Sequence, residues 1–407
     1  MPKDRYRVLF VCSHPVQYAS PVFRRMAAHP KLDIQVAYCS LQGATSALDP
    51  EFGVEVKWDV PLLEGYPWIH VPNKSPRPKL GGFFGLINPG LWQLVRTGDY
   101  DALVAYTGYA YASFWILASA AKCSRVPLLF GTDAIGLEPR SRSHWKVRIK
   151  KIALPRIFNL ATVAIAPSSA TAEYLQSLGV AEDRIVLTPF VVDNDYWITR
   201  AAAVDRESMR TTWGCSNGEP VVLFCAKLQP WKRPQDVLRA FARADVSDAR
   251  LIIAGEGPMR AELEAEAKTI KAADRVRFTG FVNQTELPRL YRSADIMVLP
   301  SEYDACPVVV CEAMLCGCPV ILSDKIWGRR ELVVPHETGM FYPCGDIDAL
   351  AHTLRDVLSD RKKLTRMGLA ARHRMQTWSP QETIEAHIAA VERAIILQNG
   401  GTLREES

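Results

Sequence analysis

The chain has 407 residues, of which 48% are apolar and 23% charged, and its net charge is +5. That length suits two domains of about 200 residues, each able to bury a core, and the balance excludes a disordered chain. So mild a basic excess excludes a dedicated nucleic-acid binder, which must neutralise many phosphates, but suits anionic small molecules or an anionic membrane surface.

The first apolar run, Val8–Cys12, is shorter than a signal-peptide core and ends in Ser13-His14-Pro15 rather than in a cleavage site of small residues. The charge-free stretch from Ala102 to Ala121 is broken at Thr107-Gly108, so it reads as strand, turn and buried helix instead of a membrane span. With neither a secretion signal nor a transmembrane segment expected, the predicted location is cytoplasmic, including a peripheral place on the inner face of the membrane. The ten cysteines are then expected to be reduced. Cys306, Cys311, Cys316 and Cys318 miss the paired spacing of a zinc site and have no His close by, so no metal is expected.

Short apolar runs alternate with helical patterns nearly throughout, which predicts parallel α/β architecture. The first series gives strands over Val8–Cys12, Ile34–Tyr38, Ala102–Tyr106, Pro127–Phe130, Thr162–Ala166 and Arg184–Thr188. Helices fit between them at Val16–Ala28, Gly90–Arg96, Ala110–Lys122 and Ser169–Leu178, while the Pro- and Gly-rich stretch Gln42–Leu86 reads as loops and short strands. Asp193–Thr212 is polar, lacks a strand pattern and reads as a linker; this placement discounts Asp193-Asn194-Asp195 as a metal motif. The second series gives strands over Val221–Cys225, Arg250–Ala254, Val276–Thr279, Ile296–Leu299 and Pro319–Leu322. Its helices are expected at Pro234–Ala244, Met259–Ala272, Gln284–Ser293 and Val309–Cys316. The tail is helical from Ile347, and Pro380 opens a last helix with Ile384, Ile388, Val391 and Ile395 on one face. The predicted fold is two Rossmann-like doubly wound domains facing a central cleft, with domains at 1–198 and 199–378. Residues 379–407 supply a C-terminal helix returning to the first domain and a polar tail. Ligands of open α/β sheets bind beyond the carboxyl ends of the strands, so functional residues are sought just after strands.

After Val221–Cys225, Lys227 and Lys232 flank a turn where two ammonium groups can converge on a diphosphate leaving group, whose charge grows as its bond to sugar breaks. A solvated basic turn is the alternative. The next strand runs into Gly255-Glu256-Gly257-Pro258, a turn whose amides can approach phosphate or which simply joins strand to helix. Met259 and Arg260 stand where a dinucleotide fingerprint has its third glycine, which disfavours a nicotinamide enzyme. The strongest signal follows Ile296–Leu299: Asp304 in a loop, Pro307 at a helix start, the free amides of Val308 and Val309, then Glu312 inside the helix. Two carboxylates that can each hold a diol, flanking an anion site, describe a nucleotide sugar. Alternatively Asp304 caps the helix and Glu312 is a surface charge, although an unpaired acid in so apolar a helix is costly.

On these residues the chain, from about 220 to 351, resembles the family 4 retaining glycosyltransferases of the glycosyltransferase B fold. The matching pieces are Lys227 with Lys232, Gly255-Glu256-Gly257-Pro258, Phe278-Thr279-Gly280-Phe281, Ser293-Ala294-Asp295, Glu312-Ala313-Met314, Gly317-Cys318-Pro319-Val320 and Gly345-Asp346. The first half is similar more loosely, through Ala166-Pro167-Ser168-Ser169 and Leu178-Gly179-Val180. The resemblance implies that Lys227 and Lys232 neutralise the donor diphosphate, Glu312 binds the ribose, Asp304 contacts the donor sugar, and Phe281 and Val282 lie beside the base. Asp304 is one methylene shorter than the family's usual Glu, and Pro307 replaces a usual Gly.

In the first half, His14 and Gln17 follow the first strand and are candidates on the acceptor side, a buried structural role being the alternative for His14. Asp133, after another strand, is a candidate for orienting the attacking hydroxyl, or else caps a helix. Basic residues from Arg140 to Arg156 alternate with Val147, Ile149, Ile152 and Leu154. They form either a helix that docks on anionic lipid or a core-packed helix with a solvated face. The resemblance implies retention of configuration, no metal and no cofactor beyond the nucleotide-sugar co-substrate, with a hexose passing from a UDP- or GDP-sugar to a glycan or lipid-linked hydroxyl. Polysaccharide or glycoconjugate assembly is the expected setting. The rival readings are a nucleotide-sugar epimerase of similar fold and a non-catalytic nucleotide-sugar-binding partner; a pyridoxal-dependent phosphorylase is disfavoured because no lysine is clearly placed for a Schiff base.

Overall fold

The computed structural model describes residues 3–49, 51–137, 144–216, 218–246 and 248–401. It divides into two compact units. One contains residues 1–45, 61–190 and 380–407, the other residues 46–60 and 191–379.

The first unit is built on a seven-stranded sheet in which every pairing is parallel. In chain order it begins β1 (Tyr6–Cys12), α1 (Ala19–Ala28) and β2 (Leu32–Tyr38). The chain then gives the second unit an antiparallel pair, β3 (Ala47–Asp49) with β4 (Val54–Val56). It returns as β5 (Trp68–His70), α2 (Gly90–Thr97), β6 (Ala102–Tyr106), α3 (Ala112–Ser124) and β7 (Leu128–Gly131). The unit continues through α4 (His144–Phe158), β8 (Val163–Ala166), α5 (Ser169–Ser177) and β9 (Ile185–Leu187). The spatial order β5-β2-β1-β6-β7-β8-β9 reverses direction at β1, the arrangement of a doubly wound sheet. The β1 side chains are apolar at nearly every position, from Val8 to Cys12, because helices cover both faces of such a sheet.

The second unit opens with α6 (Asn194–Ala202) and α7 (Arg206–Thr212), where the sequence pattern suggests a linker. Both are short and draw their stability from anchors far along the chain. In α6, Trp197 is buried and Asn194 Nδ2 donates to the Met375 carbonyl at 2.8 Å. In α7, Arg210 is buried and pairs with Asp295 at 2.6 Å. Asp295 also accepts from the Val221 amide at 2.7 Å, so this motif acid joins α7 to the starts of two strands.

The rest of the unit runs β10 (Val221–Cys225), α8 (Pro234–Ala244), β11 (Arg250–Ala254), α9 (Arg260–Thr269), β12 (Val276–Gly280), α10 (Leu287–Ser293) and β13 (Ile296–Leu299). Next come α11 (Val308–Leu315), β14 (Val320–Ser323), α12 (Arg329–Leu332), β15 (Gly339–Tyr342), α13 (Ile347–Leu358) and α14 (Arg361–Arg374). Its six strands, also all parallel, lie in the order β12-β11-β10-β13-β14-β15. The winding reverses at β10, so the loops after β10 and β13 open on either side of the switch point. The last helix, α15 (Pro380–Gln398), packs on β6, β7, β8 and β9 of the first unit. It buries Ile384, Ile388 and Val391, and its buried His387 Nε2 lies 2.5 Å from the Tyr106 hydroxyl.

Candidate active site

Two glycines set the geometry of the second unit's site. Gly255 and Gly257 take φ of +145° and +153°, a region that side chains disfavour. A Cβ would lie 2.0 Å from the Ala226 carbonyl oxygen at Gly255 and 2.6 Å from the Leu228 carbonyl oxygen at Gly257. Close approach is therefore possible only without side chains, and it lets the Leu228 amide donate to the Glu256 carbonyl at 2.8 Å. Gly255 thus shapes the turn that carries Lys227.

Beyond that contact a 3-10 turn, Pro230–Lys232, ends in Arg233 with a left-handed backbone. The Glu302 amide donates to the Trp231 carbonyl at 2.7 Å, tying this turn to the loop after β13. Lys232 and Asp304 meet there as an ion pair. The loop is pinned from its other side, where the Trp327 amide donates to the Asp304 carbonyl at 3.0 Å. Asp304 is therefore a partner of the lysine and not the helix cap. Pro307 holds the N-cap position of α11 with no side-chain cap, and Val308 and Val309 begin the first turn, whose amides lack intrahelical partners.

About one turn further, Glu312 is buried, which rules out the surface-charge alternative. The Tyr291 hydroxyl of α10 donates to it at 2.9 Å. Burial pushes the Glu312 carboxyl up to about 7, against the hydrogen bonds from Tyr291 and Gln284 that pull it down. A carboxyl so placed can bond a pair of hydroxyls presented to it. Phe281, just past β12, packs edge-on against Phe52 at 5.0 Å and against Trp58 at 6.0 Å between centroids; Val282 follows it, half-buried.

The partners Tyr291, Gln284, Asp49 and Glu51 escape sequence reasoning. Tyr291 is one apolar position on an ordinary helix pattern. Asp49 and Glu51 reach Lys227 across more than 170 residues of chain, at 3.4 and 2.6 Å.

In the first unit, His14 and Gln17 lie between β1 and α1, with the Ser13 hydroxyl 2.9 Å from His14 Nδ1. Asp133 follows β7, is exposed, and stands well ahead of α4, so it does not cap that helix. Its charge adds to the burial that raises the Tyr109 hydroxyl. Arg140 and Arg142 lie outside the described residues. Within α4, Leu154 and Phe158 are buried, while Ile149 and Ile152 are 55% and 64% exposed beside the exposed Arg148 and Lys151. The apolar face is thus only partly used by the core. Among the described residues no helix is long and apolar enough to cross a membrane, and no group of three or more His, Cys, Asp or Glu is placed to hold a metal ion.

Comparison with known proteins matches residues 205–374 to the group 1 glycosyl transferases and residues 37–190 to the glycosyl transferase 4-like domain. A GDP-mannose-dependent α-(1-6)-phosphatidylinositol monomannoside mannosyltransferase of Mycolicibacterium smegmatis is 30% identical over 55% of this chain and 60% of its own. An N-acetyl-α-D-glucosaminyl L-malate synthase of Bacillus anthracis is 31% identical over 41% of this chain and 44% of its own. The chain thus spans about half the length of the curated relatives it matches. Among solved structures, Anabaena HepE in complex with UDP and glucose superposes with a TM-score of 0.72 at 22% identity, over 95% of this chain and 98% of that one. That likeness shows the fold, two parallel-sheet α/β domains of the glycosyltransferase B type.

Proposed function

We propose, for a chain that belongs to the family 4 glycosyltransferases of the glycosyltransferase B fold, that it moves a hexose-type sugar from a UDP- or GDP-sugar to a hydroxyl of a glycan or lipid-linked acceptor. The observation that carries this reading is the grouping around the switch point of the second sheet: Lys227 and Lys232 after β10, Asp304 after β13, the uncapped start of α11, and buried Glu312 within it. Cations and helix amides suit a diphosphate, and carboxyls on either side suit the hydroxyls of ribose and sugar. The UDP and glucose bound by HepE and the GDP-mannose used by the mycobacterial relative support a nucleotide-sugar donor.

In the proposed reaction the bond between the anomeric carbon and the phosphate oxygen breaks while the acceptor oxygen bonds to that carbon. The acceptor attacks on the leaving-group face, which retains configuration, and its proton passes to a phosphate oxygen of the departing diphosphate. Lys227, Lys232 and the amides of Val308 and Val309 stabilise the charge that develops there, where preorganised groups act most strongly. Asp304 positions the sugar, Glu312 the ribose, and Phe281 and Val282 flank the base. No metal enters the scheme. On the acceptor side, His14, Gln17 and Asp133 are the groups proposed to receive and orient the hydroxyl. A peripheral place at an anionic membrane, through α4, suits a lipid-linked acceptor in polysaccharide or glycoconjugate assembly.

The test is transfer from a panel of UDP- and GDP-sugars to a mixture of glycan and lipid-linked acceptors, with the product's anomeric configuration read by NMR. The expected result is one accepted nucleotide class and a product with the donor's configuration. An inverted product rejects retention. Isomerisation of donor without any acceptor favours the epimerase, and donor binding without turnover favours the non-catalytic partner.

A further inference from the structure

Residues 46–60 come from the first half of the sequence but cluster with the second unit. They form a hairpin whose tip is organised by Asp49, which accepts from the Glu51 and Phe52 amides at 2.8 and 3.0 Å. Its base is held to the segment after β12. Asn283 Nδ2 donates to the Lys57 carbonyl at 2.7 Å, the Thr285 amide donates to Asp59 at 3.2 Å, and Trp58 packs on Phe281. The tip lies on Lys227. The ammonium donates to Glu51 at 2.6 Å, lies 3.4 Å from Asp49, and sits 4.6 Å from the centre of the Phe52 ring. Gln229 Nε2 donates to the Glu51 carbonyl at 2.5 Å.

We infer that this hairpin is a built-in competitor of the donor, with Asp49 and Glu51 taking on Lys227 the place that a nucleoside diphosphate needs. The inference rests on the nucleotide-sugar reading above and deepens it. An ammonium has three protons to give, and Lys227 already directs its bonding to two carboxylates. With the hairpin seated, two cradle lysines face three carboxylates, Asp49, Glu51 and Asp304, so an incoming diphosphate meets a site of its own sign. Withdrawing the tip reverses that sign. The Glu51 side chain is 46% exposed, so it re-enters water readily and its ion pair is weak enough for a diphosphate to displace. The contacts at Asn283, Thr285 and Phe281 keep the hairpin attached while its tip moves. Asp49 and Glu51 are thus positioning residues that set donor affinity through Lys227.

The experiment is calorimetric titration of the full chain with UDP and GDP, and with uridine and guanosine as probes lacking phosphate. The forms compared are wild type, Glu51→Gln, Asp49→Asn with Glu51→Gln, and each of these combined with Lys227→Ala. Glu51→Gln alone leaves the Asp49 turn intact and guards against misfolding at the tip. The expected result is that the double variant binds the recognised diphosphate about two- to fivefold more tightly, since removing a competing ion pair of this exposed kind is worth up to about 1 kcal/mol. The nucleosides should be unaffected, and the gain should vanish without Lys227. Equal or weaker diphosphate binding by the neutral variants, or a gain that survives in Lys227→Ala, overturns the competitor while leaving the donor reading intact. If neither diphosphate binds any form, both fall together.

Discussion

Glu312 carries an unusual electrostatic load for a carboxyl inside an apolar helix. Its ordinary value of 4.5 rises to about 7 because burial removes water from the charged form. The folded protein therefore holds this proton more tightly than the unfolded chain. Its contribution to stability is complete below about 4.5 and is lost as the pH rises through about 7, a change of roughly 3 kcal/mol. Urea unfolding across this range should show that slope in wild type relative to Glu312→Gln, which should lack it; parallel curves would mean that the carboxyl is ionised throughout. The neutral His387, held down to about 4 by burial, slopes the opposite way between that value and 6.5 and is common to both proteins. The candidate residues Lys227, Lys232, Asp304 and Glu312 stand out in the sequence because they follow strands at motif spacing. Their partners do not. The pairing of Asp304 with Lys232 depends on how two loops fold back, and no local pattern encodes the hydroxyl of Tyr291.

At the scale of elements, the loop after β10 owes its path to the glycines after β11. Gly255→Ala places a Cβ 2.0 Å from the Ala226 carbonyl oxygen at a backbone φ of +145°. Both the clash and the strain point to a loss of roughly 2–4 kcal/mol. A thermal melt should show it, and unchanged stability would mean that the two turns are not locked together. Strands were the most legible elements. Val221–Cys225, Arg250–Ala254 and Ile296–Leu299 coincide with their apolar runs, since buried parallel strands need such runs on both faces. Asp193–Thr212 defeated the same reasoning because α6 and α7 depend on Met375 and Asp295, remote in sequence. The strand β15, Gly-Met-Phe-Tyr, lacks the β-branched run that announces a strand and is fixed instead by pairing with β14. The seating of the 46–60 hairpin on Lys227 was equally invisible, lying more than 170 residues from its partner.

For the molecule as a whole, the family matches and the fold likeness extend over both units. The proposed peripheral membrane role rests on Ile149 and Ile152, apolar and exposed beside basic neighbours on α4. Replacing both with Glu should weaken sedimentation with phosphatidylglycerol vesicles about tenfold or more, because apolar insertion is lost and like charge is added. No change would assign that face to another use. The central claim, a donor cradle in the second unit, is tested most directly by binding and slow hydrolysis of UDP- and GDP-sugars by wild type, Glu312→Ala and Lys232→Ala. One nucleotide class should bind wild type, and each substitution should lower its kcat/KM by about 100-fold, the scale of removing one group that stabilises developing charge or positions the donor. Binding of no donor, or turnover indifferent to both substitutions, would contradict the cradle.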